Sequence, residues 1–274
     1  MLKKIEKILV VIQETDKIEY LLTTAIQLCK EHHAVMEILF IHESPLFELP
    51  DYFKRRKTQS LDKRRIETEI ETMLFRLGNT SSYAVFIEDA DTVEQVVVLN
   101  QGNTPTLIVS FYHEEITPKL AKKVTSPLLV MKSKPKTYQK ILFPVDLNQN
   151  NKAYILQTHS LFPNATITLL YEPRYIIENY IFDADFISIP LETTINPQVE
   201  QKILETQKEA FKALQKETGL KGKLIDGIEN DLIHYINTQK SDLLIIHSEH
   251  DNFLFENTLS QELITATKTD LFIL

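Results

Sequence analysis

KTYQKILFPVD, residues 136–146, repeats the pattern of KKIEKILVVIQ at residues 3–13. In both stretches lysines precede a short apolar run, which is typical of a strand buried on both faces of a parallel sheet. Two more pairs of segments recur in the same order: TLIVS (106–110) with DLLII (242–246), and SPLLVM (126–131) with TDLFIL (269–274). A repeat this long indicates two homologous domains rather than a solenoid.

Each half alternates short apolar strands with helical segments. The predicted strands are ILVVI, VMEILFI, YAVFI, TLIVS and LLVM in the first half, and ILFPV, TITLLY, GKLIDG, LLII and LFIL in the second. This alternation predicts an α/β fold, with two tandem five-stranded, mostly parallel sheets flanked by helices. Pro135 and the lysines of KSKPKTY (132–138) mark a linker, so we predict domains at 1–134 and 135–274.

Composition narrows the class of protein. The chain has 274 residues, of which 43% are hydrophobic and 25% charged, as in a globular protein with real cores. Its net charge of −8 argues against general nucleic-acid binding, because phosphate neutralisation needs a basic surface. No apolar run approaches the roughly 18 residues of a membrane span, and the single cysteine, Cys29, fits a reducing compartment. We therefore expect a cytoplasmic protein without nucleic-acid or membrane partners.

Glycine is scarce in this chain. It contains five glycines, about 2% of its residues, against an average near 7%. Loops that wrap phosphates need glycine for positive φ and for close backbone approach. The loop HSEHDNFLFENTLS (247–260), which follows the predicted strand LLII, has two histidines and three carboxylates but no glycine.

The order and spacing of these segments, found twice, resemble the universal stress protein family in its tandem two-domain form. ILFPVD, SDLLIIH and SPLLVM carry the resemblance, which covers about 4–132 and 137–274. It implies a Rossmann-like strand order 3-2-1-4-5 in each half, with a ligand crevice between the first and fourth strands. It also implies that LLVM pairs with LFIL, which would create an internal pseudo-dimer and bury two sheet edges. A homodimer of whole chains stays open.

The family members that bind ATP have an aspartate at the end of the first strand. Their fourth strand is followed by glycine, two residues, glycine, nine residues, glycine and a serine or threonine, and the amides of this loop hold phosphate. In the second half Asp146 matches the aspartate, whereas His247 and His250 replace the first two glycines. Six residues then precede Asn257-Thr258, where only Thr258 fits the pattern. These five residues form the candidate ligand crevice of a partly retained site.

The first half departs further from that pattern. Gln13 replaces the aspartate, Phe111 and Glu114 occupy the glycine positions, and the long loop is almost absent before Ile116. We therefore predict a degenerate site in the first domain and no classical ATP binding. Histidine can donate to phosphate, so nucleotide binding in the second crevice stays open.

Other kinds of site are weaker alternatives. His247, Glu249 and His250 have the ligand types of a zinc site, but H-x-x-H on a loop is a weak pattern, and a solvated strand end is the simpler interpretation. Cys29 lies on the apolar side of the first helix and predicts packing, while the histidines at 32–33 are expected to complement the helix C-terminus. We predict no catalytic residue and no metal site.

Two surface segments admit more than one interpretation. The basic runs FKRRK (53–57) and KRR (63–65) fit a solvated helix face balanced by downstream glutamates, although an acidic partner is left open. The second segment follows the second strand of the second half and could cover the seam between domains, form a lid or bind a partner. Its aromatic residues are Tyr171, Tyr175, Tyr180, Phe182 and Phe186.

The sequence therefore predicts a stress-response or regulatory binding or scaffold protein, which acts through an unidentified protein partner or small ligand rather than through turnover. The alternative is a nucleotide- or small-ligand-binding switch, or a weak hydrolase, that uses the second-domain crevice. A formed pocket would favour the ligand-binding function, whereas a crevice filled by side chains would favour a scaffold.

Overall fold

A computed structural model describes residues 4–43, 62–147, 151–173, 197–225, 232–246 and 259–274. The chain divides into two compact units. The first unit comprises the described residues of 4–136 together with 270–274, and the second comprises the described residues of 137–246 and 259–269. The predicted boundary at 134/135 lies close to this division, while the homology of the two halves stays a prediction.

The first unit is a sheet with helices packed against it. In the described part of this unit the strand order is β3-β2-β1-β4-β5-β10, and all neighbours are parallel except β5 and β10. The strands are β1 (Lys7–Gln13), β2 (Val35–His42), β3 (Tyr83–Asp89), β4 (Thr106–Phe111), β5 (Leu128–Met131) and β10 (Asp270–Ile273). The helices are α1 (Ile18–His32), α2 (Lys63–Arg76), α3 (Thr92–Asn100) and α4 (Thr117–Lys123).

The position of β1 explains its sequence. It pairs with β2 on one side and β4 on the other, and the five residues from Ile8 to Ile12 are all buried. A strand covered on both faces needs a continuous apolar run rather than an alternating one. Helix α3 begins at Thr92, shortly after β3. The carboxylate of Asp91 accepts the amide proton of Glu94 at 2.8 Å and so caps the N-terminus of this helix.

The second unit has the strand order β8-β7-β6-β9 in its described part, and the paired strands are parallel. These strands are β6 (Lys140–Pro144), β7 (Thr166–Tyr171), β8 (Lys221–Leu224) and β9 (Leu243–Ile246). The helices are α5 (Asn151–Leu161), α6 (Pro197–Thr218), α7 (Leu232–Thr238) and α8 (Leu259–Ala266).

Helix α6 packs closely on this sheet. The buried Tyr171 donates its hydroxyl proton to Gln207 at 3.0 Å, and its ring centroid lies 5.3 Å from that of Phe211. Gly222 on β8 makes room for the same helix, because a Cβ there would lie 2.6 Å from the ring of Phe211. Tyr171 is therefore a core residue, while Tyr175, Tyr180, Phe182 and Phe186 lie outside the described residues.

The predicted α/β class and the mostly parallel, helix-flanked sheet are confirmed. The first unit shows the predicted order 3-2-1-4-5, and the second shows the corresponding first four places. The fifth strand of the second half, β10, pairs antiparallel with β5, with Leu271 opposite Val130 and Phe272 opposite Leu129. The strand pairing expected from the resemblance is therefore present, and it gives the first unit six strands among the residues described. The pseudo-dimer stays a prediction.

No helix in the described ranges is long and apolar enough to cross a membrane.

A buried carboxylate holds β10 in place. Asp270 is fully buried and accepts the amide proton of Lys132 at 2.8 Å and the hydroxyl proton of Ser133 at 3.0 Å. The ammonium group of Lys136 lies 3.4 Å from its second oxygen. A buried carboxylate is tolerated when donors and a cation replace its hydration. Asp270 therefore ties the segment after β5 to the start of β10.

Replacing Asp270 by alanine should lower the free energy of unfolding by about 3 kcal/mol, because it leaves buried donors without their acceptor. Asp270→Asn should cost less, since its amide oxygen still accepts a hydrogen bond. Asp242→Ala is the matched control, because Asp242 accepts the amide protons of Gln139 and Lys140 at 3.1 and 2.9 Å in a partly exposed position. Urea unfolding followed by circular dichroism should show the larger loss at Asp270. Equal losses at the two aspartates would contradict the anchoring role.

Candidate functional site

A pocket of about 430 Å³ opens in the first unit, where β1, β4 and β5 end. Its walls are formed by residues 15–17, 111–113 and 132–134, together with Tyr20. The strand order reverses between β1 and β4, and open α/β sheets place their ligands outside the carboxyl ends of the strands at such a point. We call this pocket the first-unit crevice.

A side-chain contact between Asp16 and His113 crosses the first-unit crevice from the segment after β1 to the segment after β4. One carboxylate oxygen of Asp16 lies 2.9 Å from Nε2 of His113, and the other accepts the amide proton of Gln13 at 2.8 Å. The Asp16 side chain is only 4% exposed, against 23% for His113. The pair therefore fixes the distance between two walls of the crevice.

The loop after β4 is closed by its own hydrogen bonds. The amide of His113 donates to the hydroxyl of Thr117 at 2.9 Å, and the carbonyl of His113 accepts the amide protons of Ile116 and Thr117 at 3.2 and 2.9 Å. The amide of Tyr112 donates to the carbonyl of Met131 at 2.9 Å. These amides already have acceptors, so they do not form a cradle for phosphate oxygens.

Gln13, which stands where the resemblance implies an aspartate, has a separate role. Its side-chain amide donates to the hydroxyl of Thr92 at 3.1 Å, at the first residue of α3. Thr92 is fully buried, so this bond connects the end of β1 to a neighbouring helix. Gln13 is not among the residues that line the first-unit crevice.

Three lysines, at positions 17, 132 and 134, line the first-unit crevice. Lys17 lies over the ring of Tyr20, with 5.4 Å between its ammonium nitrogen and the ring centroid. Lys132 lies over Tyr112, with a corresponding distance of 4.3 Å. Both contacts are within the range of a cation–π interaction. Lys134 is exposed at the rim.

The amine of Lys132 is perturbed by its surroundings. Burial lowers the pKa of Lys132 to about 8, and the charge of Asp270 opposes this shift. Desolvation disfavours the ammonium form, and here it outweighs the attraction of the nearby carboxylate. Burial and the charge of Glu114 both raise the pKa of the Tyr112 phenol, which keeps it protonated.

The second-half candidates are only partly described. Asp146 lies two residues after the end of β6, and its backbone carbonyl accepts a hydrogen bond from the side chain of Asn151 at the start of α5. His247, His250, Asn257 and Thr258 lie outside the described residues, as does Glu249. The second crevice therefore stays a prediction. Within the described ranges no group of three histidine, cysteine, aspartate or glutamate side chains is placed to hold a metal ion.

Two minor candidates have structural roles. Cys29 is buried, and burial raises the pKa of its thiol to about 12, so it packs as an unreactive thiol. Helix α1 ends at His32, and His33 has a left-handed φ of 54° with its amide donating to the carbonyl of Cys29. Burial lowers the pKa of His32, which works against the expected charge at this helix end.

The described part of the basic segment fits a balanced helix face. Lys63 lies 3.4 Å from Glu88, and Arg65 lies 3.9 Å from Glu69 one turn along α2. The run at 53–57 lies outside the described residues.

Sequence reasoning missed Asp16, His113 and Lys132. Lys132 had a usable signal, because it directly follows the predicted strand LLVM and so lies at the ligand-bearing end of the sheet. In the sequence it also opens the segment KSKPKTY (132–138), which is interpreted as the linker. Asp16 and His113 are 97 positions apart, and only the folded chain shows their contact.

Three solved structures share this architecture. A protein described as a universal stress protein from Pseudomonas aeruginosa UCBPP-PA14 has a TM-score of 0.60 and 16% identity, over 98% of this chain and 93% of that one. A universal stress protein from Archaeoglobus fulgidus has a TM-score of 0.53 and 10% identity, over 97% and 95%. The chain has the universal stress protein fold. A Pseudomonas aeruginosa PAO1 protein of unknown function also matches, with a TM-score of 0.61 and 18% identity over 98% and 92%.

At these sequence identities the structural similarity establishes the fold. The function has to be argued from the residues of this chain. No model of a known protein family matches the sequence, and no curated protein does. The resemblance in strand order and segment spacing is thus confirmed at the level of the universal stress protein fold.

The contact between Asp16 and His113 should be energetically coupled. A double-mutant cycle with Asp16→Ala and His113→Ala should give a coupling free energy of about 1–2 kcal/mol, because the carboxylate is buried and the contact is short. The control cycle uses Lys63→Ala and Glu88→Ala, whose side chains are 56% and 45% exposed. That pair should give about 0.5 kcal/mol or less. Urea unfolding of all variants measures both coupling free energies. Equal values in the two cycles would contradict the interpretation that the contact between Asp16 and His113 connects the two walls of the crevice.

Proposed function

We propose that this chain is a universal-stress-type regulatory binding protein that holds a small anionic ligand in its first-unit crevice, without classical ATP binding. One observation carries the proposal: a formed pocket of about 430 Å³ with three lysines in its lining. Small-molecule sites usually have volumes of roughly 300–1,000 Å³. The crevice is therefore large enough for a metabolite.

The charges of the crevice support an anionic ligand. Lys17, Lys132 and Lys134 line it, against one lining carboxylate, that of Asp16, which contacts His113 at 2.9 Å. The chain as a whole has a net charge of −8, so this local excess of cations is opposite to the average surface. A site with an excess of one sign of charge attracts ligands of the other sign.

The hydrogen bonds of the loop after β4 support a ligand other than ATP. Classical phosphate loops present unpaired amides to the phosphates. Here the amides of His113, Ile116 and Thr117 donate within the loop. Recognition would instead rest on lysine side chains, which act as mobile point charges and suit a compact carboxylate, phosphate or sulfate group.

Ligand binding would be sensed by the strand β10. Lys132 lines the crevice, and its own amide donates to Asp270 at the start of β10. Ser133 also lines the crevice and bonds to the same carboxylate. An anion drawn to Lys132 would therefore act on the segment that anchors β10. We propose this connection as the regulatory element, which a protein partner in the cytoplasm could recognise.

Calorimetric titration of the full chain with inorganic pyrophosphate, citrate and sulfate tests anion binding. We expect one site per chain for at least one of these anions, with affinity that falls as salt is added. Lys134→Gln should weaken binding by about tenfold, because one unit of nearby charge is removed. Lys123→Gln, at the last turn of α4 and outside the crevice, should have no effect.

ATP with magnesium provides the opposite arm of this test. The proposal expects no gain in affinity over pyrophosphate, since the backbone cradle is closed. Micromolar affinity for ATP with magnesium would contradict the proposal that the chain lacks classical ATP binding. Failure of every anion to bind, or an unchanged affinity in Lys134→Gln, would overturn the anion site.

A further inference from the structure

Lys132 lies at the wall of the first-unit crevice, and its backbone amide is hydrogen-bonded there. It follows β5 directly, and its amide donates to the buried carboxylate of Asp270 at 2.8 Å. Its amine lies 4.3 Å from the centroid of the Tyr112 ring. A half-buried amine on a fixed backbone, beside a pocket of about 430 Å³, is placed to meet a bound ligand.

The protonation state of this amine differs from that of an ordinary lysine. Burial lowers the pKa of Lys132 to about 8, although Asp270 acts in the other direction. Near pH 7.5 such an amine is neutral on the order of a hundred times more often than an unperturbed lysine. The neutral amine is the nucleophile, and desolvated lysines are those that form Schiff bases in proteins.

We propose that Lys132 captures a small anionic carbonyl compound, such as an aldehyde or keto acid that carries a carboxylate or phosphate, as a reversible imine in the first-unit crevice. This inference rests on the proposed anion site and names the chemical class of its ligand. Lys17 and Lys134 line the same crevice and would pair with the anionic group. The carbonyl carbon would then lie towards Lys132.

The chemical step balances without a further reagent. The lone pair of the neutral amine forms a bond to the carbonyl carbon, and the electron pair of the C=O bond moves to oxygen. A proton passes from nitrogen to that oxygen through water and gives a carbinolamine. The C–O bond then breaks with loss of water, and the nitrogen lone pair forms the C=N bond. No oxidation occurs, and hydrolysis reverses the step.

Several charged or titratable groups line the crevice or act on Lys132. Asp270 of β10 favours the charged amine, whereas Lys17 and Lys134 add positive charge to the same lining. The phenol of Tyr112 stays protonated because burial raises its pKa. Asp16 and His113 are paired with each other across the crevice.

The test treats the full chain with glyoxylate and sodium cyanoborohydride, and peptide mass spectrometry then locates the trapped secondary amines. We expect Lys132 to be labelled at least about tenfold faster than Lys123 or Lys134, since its neutral form is far more populated. Its labelling rate should rise as pH increases and level off above about 8, because the neutral amine accumulates through its pKa. Propionaldehyde, which has no anionic group, should show a smaller preference for Lys132.

Lys132→Arg keeps the positive charge but forms no stable imine, so it should lose the fast labelling while unfolding at the same urea concentration. Lys134→Arg is the matched control and should retain labelling at Lys132. Similar rates at all lysines, or a rate at Lys132 that keeps rising to the pH of an ordinary lysine, would overturn the inference.

The outcome separates this inference from the anion site. If pyrophosphate binds in the calorimeter and glyoxylate labels lysines uniformly, the anion site stands and the imine fails. If glyoxylate labels Lys132 selectively while no simple anion binds, the imine stands and the proposed anion affinity fails.

Discussion

The buried carboxylate of Asp270 is the interaction on which the first unit depends. A fully buried charge is costly, and this one is offset by the amide of Lys132, the hydroxyl of Ser133 and the ammonium of Lys136. These donors come from one short segment after β5, so satisfying the charge also fixes that segment against β10. The same geometry places Lys132 at the crevice. The segment that anchors β10 therefore also forms one wall of the first-unit crevice.

The second wall of the crevice, formed by residues 111–113 after β4, contains no glycine. The loop after β4 contains no glycine, and the amides of His113, Ile116 and Thr117 donate within it, to the hydroxyl of Thr117 and the carbonyl of His113. The crevice is then crossed by side chains, with Asp16 paired to His113, and its cationic groups are lysines. The polar groups of this crevice are therefore side chains, and they come from the segments that follow β1, β4 and β5. Gly222 serves packing against α6 instead of a ligand.

The strands could be predicted because a buried strand requires a short run of apolar residues, which is visible in the local sequence. Runs such as ILVVI and the central LIV of TLIVS are continuously apolar, since β1 and β4 are buried on both faces, and the observed strand order is the one that the family resemblance implies. The first-unit crevice could not be predicted in this way. The missing glycines predict a degenerate ATP site in this domain, which stays a prediction, and they say nothing of Asp16 and His113, which lie 97 positions apart and meet only in the folded chain. The burial that perturbs Lys132 is likewise a property of the fold rather than of its sequence neighbours. In the second half, Asp146 alone of the five candidates lies within the described residues.

The proximity of Asp270 to Lys132 raises the question of why this carboxylate does not keep the amine fully charged. An isolated carboxylate beside a buried lysine would raise its pKa. Asp270, however, already accepts hydrogen bonds from a backbone amide and a hydroxyl and lies against a second ammonium, that of Lys136. Asp270 does raise the pKa of Lys132, but the lowering caused by burial is larger, so desolvation prevails. The pKa of Lys132 is therefore lowered to about 8 even though the carboxylate that anchors β10 acts on its amine.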